Sequence, residues 1–204
     1  MVCPFLPAHC RNRSSGKYSQ ASFFLAAVEI FLNTRKQAMA HGTPGACYWF
    51  KAWPPERFVE LADRLMSQYG CQVLIGGSEQ DIDLAQQIQQ MAKSRPIIMA
   101  GHTTIKQFAA IAKKSALFIG SESGAMHIAS AVGTPVMALL GPSKPREWGP
   151  RGGPVEVLHK DLDCRSCFHP TCTRGEQNCM KLIAVDEVMT ASGRLMGRVR
   201  TAIL

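Results

Sequence analysis

From about Thr43 onward, apolar and polar positions follow two alternating rhythms. Residues 53–65 open with Trp-Pro-Pro, and Phe58, Leu61, Ala62 and Leu65 then recur at i, i+3, i+4 and i+7. That spacing predicts one buried helix face, with prolines in the first turn where a missing N–H costs nothing. The run 71–75 (CQVLI) is short, apolar and closed by Gly76-Gly77, as expected of a strand covered on both faces. Residues 81–92 are helical by composition. A strand is predicted at 96–100, and a helix at 104–113 with Thr103 or Thr104 as its cap. Strands at 117–119 and 136–140 flank a helix that begins near Ser123, and the chain is expected to close on a C-terminal helix.

Near-continuous apolar strands alternating with helices of about ten residues imply an α/β fold. The expected form is a Rossmann-like parallel sheet with helices on both faces. Ligands of such sheets sit beyond the carboxyl ends of the strands. Here those ends are Gly76-Gly77, Gly101-His102, Gly120-Ser121 and Gly141-Pro142.

Residues 1–40 do not share this rhythm and are set apart as an atypical N-terminal segment. The domain proper is expected over 41–204, with a cysteine-rich loop at 164–179. The apolar stretch 21–32 (ASFFLAAVEIFL) is too short to span a bilayer and contains Glu29, so it predicts a packed helix, with a membrane surface as the alternative resting place. The first residues lack a basic region followed by an apolar one and do not form a signal peptide.

The 204 residues are 46% hydrophobic, enough for a substantial core. A formal charge of +8 favours anionic partners. No basic run is interleaved with aromatics, so nucleic acid is not among the expected ones. Eight cysteines in a chain of this length, unevenly placed, fit a reducing, cytoplasmic setting better than a disulfide framework. Cys3, Cys10, Cys47 and Cys71 are expected to be ordinary thiols. Cys164, Cys167, Cys172 and Cys179 cluster with one true CxxC arm. They partly fit a structural zinc site, the alternatives being reduced thiols in a loop or adventitious disulfides. A redox pair lacks the thioredoxin context.

The densest chemistry lies between Gly120 and Gly149. Gly120 ends a strand, Ser121 or Ser123 can cap the following helix, and Gly124 lets a ligand approach the backbone. Free amides of the first turn, with the helix dipole behind them, suit a phosphate. His127, one turn further in, can donate to the same anion, and Glu122 can accept from sugar or ribose hydroxyls. The plain alternative is a capped helix on which His127 is merely packed or exposed. Gly141 and Pro142 open a second loop on the same rim, where Lys144 and Arg146 add positive charge.

The run GSESGAMH, then AVGTPV, LLGPSKP and WGP, resembles the donor-binding signature of glycosyltransferase family 9, the ADP-heptose:lipopolysaccharide heptosyltransferases. The segment TPGA followed by KAWPPERF (43–58) is similar to a second motif of that family, and the cysteine-rich tail ending CMKLI resembles many members. The resemblance implies one half of a GT-B enzyme, inverting and without a required cofactor, with the catalytic base in the other, acceptor-binding half. It implies that Lys51 neutralises donor phosphate and that Ser123, Gly124 and His127, with Ala125 and Met126 between them, form the diphosphate turn. Glu122 stands where the family has Asp, one methylene shorter. The implied function is transfer of heptose from ADP-heptose to a lipopolysaccharide inner-core acceptor at the cytoplasmic face of the inner membrane. The chain is expected to be a truncated form carrying the donor domain, residues 1–40 being either a shortened, diverged remnant of the acceptor domain or the product of a truncated or misjoined reading frame. Two other classes stay open: a non-catalytic nucleotide-sugar binding module, and a metal-stabilised interaction protein built around the cysteines.

Overall fold

A computed structural model describes residues 23–28, 39–41, 51–164 and 172–201. Its strands are β1 (Phe23–Val28), β2 (Met39–His41), β3 (Gln72–Gly77), β4 (Ile97–Ile98), β5 (Ser115–Ser121), β6 (Val136–Leu140) and β7 (Val155–His159). Its helices are α1 (Pro55–Tyr69), α2 (Ile82–Met91), α3 (Ile105–Lys113), α4 (Gly124–Ala131), α5 (Pro145–Trp148) and α6 (Val185–Thr201). The strands form one sheet in the order β4-β3-β1-β2-β5-β6-β7. Every strand pair in it is parallel except those made by β1, which runs antiparallel to β2, β3 and β5.

The helix expected over 21–32 is thus corrected: Phe23–Val28 is a strand at the middle of the sheet. A six-residue apolar run without breaks carries no period that separates strand from helix. A slot flanked on both sides by strands accepts such a run as a strand. The remainder of 21–32 lies outside the described residues. Strand β7 was not anticipated from the sequence. It pairs with β6 alone and is half-buried throughout, so its pattern (VEVLH) lacks the apolar continuity of the inner strands.

Side-chain alternation along the strands divides the core between two faces. Leu117, Ile119, Met137 and Leu139 join Trp53, Phe58, Leu61, Leu65, Ile88 and Leu195 on the side of α1, α2 and α6. Phe118, Val136, Ala138 and Leu140 join Phe108, Met126 and Ala129 on the side of α3 and α4. Helices therefore cover both faces, as the sequence rhythm predicts.

Local signals explain the helix ends. In α1, Pro54 is the N-cap and Pro55 follows it; the buried residues are Phe58, Leu61, Ala62 and Leu65, the predicted set. Gly70 closes α1 in the left-handed conformation (φ 62°), which an L side chain resists. Thr104, not Thr103, caps α3 through a reciprocal box: its hydroxyl accepts from the Gln107 amide and the Gln107 side chain accepts from the Thr104 amide. Cys71 is buried, and burial pushes its thiol up to about 12, which keeps it protonated and unreactive. Among the described residues no helix is long and apolar enough to cross a membrane.

Candidate functional site

Three connections meet at the carboxyl ends of the parallel strands: β2 to α1, β5 to α4 and β6 to α5. The first carries Lys51, the second Glu122 and Ser123, the third Gly141, Pro142 and Ser143. Lys51 Nζ lies 3.5 Å from Glu122 Oε2 and donates to Ser143 Oγ at 3.2 Å. The Lys51 and Glu122 side chains are only 20% and 15% exposed, so their attraction is less screened by water than that of a surface pair. One ammonium group thus ties together loops separated by 71 and 92 residues of chain.

Helix α4 begins at this junction. Ser123, in extended conformation, is its N-cap and accepts from the Met126 amide at 3.4 Å. The first-turn amides of a helix have no acceptor within it, and the dipole makes that end partially positive. Ala125 and Met126 turn their side chains into the core, so they offer a ligand only main chain. Gly124 and His127 are both exposed and, three residues apart, share the outer face of the first turn. Among the described residues, a methyl group at Gly124 would meet no atom within 4 Å beyond its own helix and chain neighbours, and the backbone there is not left-handed. Packing among the described residues therefore does not require glycine at this position.

Gly141 has a different reason to be glycine. A Cβ there would lie 3.2 Å from both Cγ and Sδ of Met180 and 3.6 Å from Cys179 Sγ. The tail that contains Cys179 and Met180 also grips the Lys51 side of the site. Trp53 Nε1 donates to the Ile183 carbonyl at 2.9 Å, and the Arg57 guanidinium donates to the same oxygen. Residues 178–183 thus brace both the loop that presents Ser143 and the residue two positions beyond Lys51.

Lys144 pairs with Glu147 at 3.1 Å with both side chains more than half exposed, so its charge is locally offset and the pair contributes little stability. Among the cysteines, Cys167 lies outside the described residues. Cys164 Sγ accepts from Arg174 Nε at 3.1 Å, and Cys179 sits beside Gly141. Among the described residues no three His, Cys, Asp or Glu side chains converge as metal ligands. The zinc expectation on Cys164, Cys167, Cys172 and Cys179 therefore finds no support there.

Ser143 escaped the sequence reading as a site residue, and the tail ending CMKLI was singled out there only by resemblance, not for its bracing contacts. The Gly141-Pro142 turn pointed to the loop, but a contact across 92 residues leaves no local pattern. Of the two cap candidates Ser121 and Ser123, it is Ser123 that caps α4; the Ser121 hydroxyl, at the end of β5, is fully buried without a hydrogen-bond partner among the described residues.

A parallel sheet whose strand ends gather a helix start, a lysine and a carboxylate is the architecture of a Rossmann-like half of a GT-B glycosyltransferase. The chain belongs to glycosyltransferase family 9 (heptosyltransferase), whose model matches residues 13–177. It is 26% identical over 158 residues to lipooligosaccharide heptosyltransferase 2 of Campylobacter jejuni, covering 75% of this chain and 49% of that protein. To lipopolysaccharide heptosyltransferase 3 of Escherichia coli it is 36% identical over 110 residues, 52% of this chain and 32% of the other. The solved structure of Escherichia coli ADP-heptose lps heptosyltransferase II superposes with a TM-score of 0.69 at 23% identity, over 83% of this chain and 49% of that one. That likeness concerns the fold. The chain spans about half the length, or less, of these curated relatives.

Proposed function

We propose that this chain is the donor-binding half of a heptosyltransferase, gripping the diphosphate of ADP-heptose so that the sugar can pass to a lipopolysaccharide inner-core acceptor. Residues 41–204 carry the donor-binding loops of the nucleotide-sugar domain, and Phe23–Val28 and the start of β2, from within residues 1–40, complete its sheet rather than an acceptor side. The observation that carries this reading is the junction at the start of α4, where Lys51 stands beside Glu122 and Ser143.

The chemistry follows from charge. As the bond from the anomeric carbon to the diphosphate breaks, negative charge grows on the departing phosphate oxygens. Main-chain amides of Gly124 and Ala125 and the helix dipole are fixed in place to meet it. Lys51 adds a point charge, and His127 a donor on the same face. Glu122 Oε2 faces Lys51, which leaves Oε1 to accept from a sugar hydroxyl. The base that takes the acceptor proton belongs to the other half of the enzyme, by likeness to the family, as does inversion at the anomeric carbon. The work takes place at the cytoplasmic face of the inner membrane and uses no cofactor. A second reading is a nucleotide-sugar binding module without transfer.

Calorimetric titration with ADP, UDP and ADP-heptose tests the proposal. ADP and ADP-heptose are expected to bind more tightly than UDP, and His127→Ala to weaken ADP by roughly three- to tenfold, the worth of one hydrogen bond. Equal behaviour of the wild type and His127→Ala toward all three ligands would remove His127 from the site. Heptose transfer by the chain in a lipopolysaccharide acceptor assay decides between transferase and binding module.

Gly124→Ala separates ligand space from folding need. Alanine is the better helix former by about 1 kcal/mol, so the melting temperature should hold or rise. The new methyl should weaken ADP on the order of tenfold, the cost of crowding a packed contact. Unchanged ADP affinity in a stable Gly124→Ala protein would place the phosphate elsewhere.

A further inference from the structure

Lys51 brings its ammonium to the junction on a flexible four-carbon stem. Such a stem loses rotamer freedom when it is fixed, and a ligand that must order it binds less tightly than one that finds it in place. Two groups hold it. Glu122 stands at 3.5 Å, the outer limit of a hydrogen bond, while Ser143 Oγ accepts at 3.2 Å and is the nearer partner. Their effects differ. The carboxylate draws the ammonium toward itself and offsets its charge, whereas the hydroxyl restrains it and leaves the charge available.

Ser143 is itself held in place from behind. Its loop leaves β6 through Gly141, which is buried and closely packed on Met180. Met180 is fully buried in the core, three residues before Ile183, whose carbonyl receives Trp53 and Arg57. The acceptor on Ser143 and the lysine that uses it are therefore registered against one common segment. Such a frame can set an ammonium position more closely than a free loop would.

We propose that Ser143 is a positioning residue for the donor diphosphate: it holds the Lys51 ammonium near the start of α4 before the ligand arrives. This rests on the reading of Lys51 as a phosphate ligand and assigns to Ser143 a role exerted through that lysine.

A double-mutant cycle with ADP as the probe tests it, each variant checked by thermal melting. Ser143→Ala should weaken ADP by about fivefold, the scale of one lost hydrogen bond, and Ser143→Thr, which keeps the hydroxyl, should return to within about twofold of wild type. In a Lys51→Ala background Ser143→Ala should have no further effect, because the group it positions is gone. Ser143→Cys, close in volume but a poor acceptor, should follow alanine and serves where Ser143→Ala melts early. A loss of the same size with and without Lys51 overturns the proposal in favour of direct contact or general loosening. Full affinity in Ser143→Ala alongside a weakened Lys51→Ala overturns it too while sparing the phosphate reading. If Lys51→Ala itself binds ADP normally, the underlying reading fails, and this inference with it.

Discussion

Replacing Lys51 with alanine is expected to lower ADP affinity more than any other single change at the junction. A hydrogen bond to a charged group is worth about 1.5–3 kcal/mol, roughly 10- to 100-fold in Kd. The loss should lie toward the upper end, because Glu122 would be left facing the diphosphate with no cation between them. That second effect can be isolated. Adding Glu122→Gln to Lys51→Ala removes the like charge and should recover part of the affinity, whereas Glu122→Gln alone exchanges a charged sugar-hydroxyl acceptor for a neutral amide oxygen and weakens that contact. The fold should hardly notice, since a partly exposed ion pair contributes about 1 kcal/mol or less. Isothermal titration and a melting curve on the same samples read both quantities. Wild-type affinity in Lys51→Ala would refute the phosphate site.

Trp53→Ala should produce the largest loss of stability. Trp53 is fully buried, meets Phe58 edge-on at 4.9 Å between ring centroids and donates to the Ile183 carbonyl. Removing such a side chain costs about 3–5 kcal/mol, and the aromatic pair adds roughly 0.5–1.5 kcal/mol. Set against a total stability of about 5–15 kcal/mol for a typical domain, the variant sits close to its folding threshold. Trp53→Phe gives the contrast. It keeps a ring against Phe58 and loses the indole N–H, but the Ile183 oxygen still has Arg57, so about 1 kcal/mol should go. Urea denaturation of both variants measures the difference, and amide exchange should rise across residues 178–183 in Trp53→Ala first. A Trp53→Ala midpoint equivalent to less than about 1 kcal/mol of loss would show that the tail is not braced through this residue.

Both predictions trace back to features that differ in how openly the sequence displays them. The face of α1 was legible because helix burial repeats every three to four residues, and Phe58, Leu61, Ala62 and Leu65 obey that period. The start of α4 was legible because a serine cap and a glycine mark a helix end locally. Strand β1 was not, since six apolar residues satisfy strand and helix alike until neighbours are known. Nor could periodicity reveal Ser143 or the Ile183 carbonyl. Their partners lie 92 and 130 residues away, and a main-chain oxygen is the same atom in every residue type. Gly141 and Gly124 read alike in sequence, yet one is glycine for Met180 and the other faces open space.

The antiparallel strand at the heart of the sheet has a consequence for assembly. Phe23–Val28 pairs on one side with β3 and on the other with β5, although some ninety residues of chain part it from the latter. Without it, among the described residues the two-strand block and the three-strand block of the sheet would be hydrogen-bonded together only through the three residues Met39–His41. A protease cut ahead of Met39 that freed this strand would therefore act less like trimming an end than like drawing the keystone from an arch.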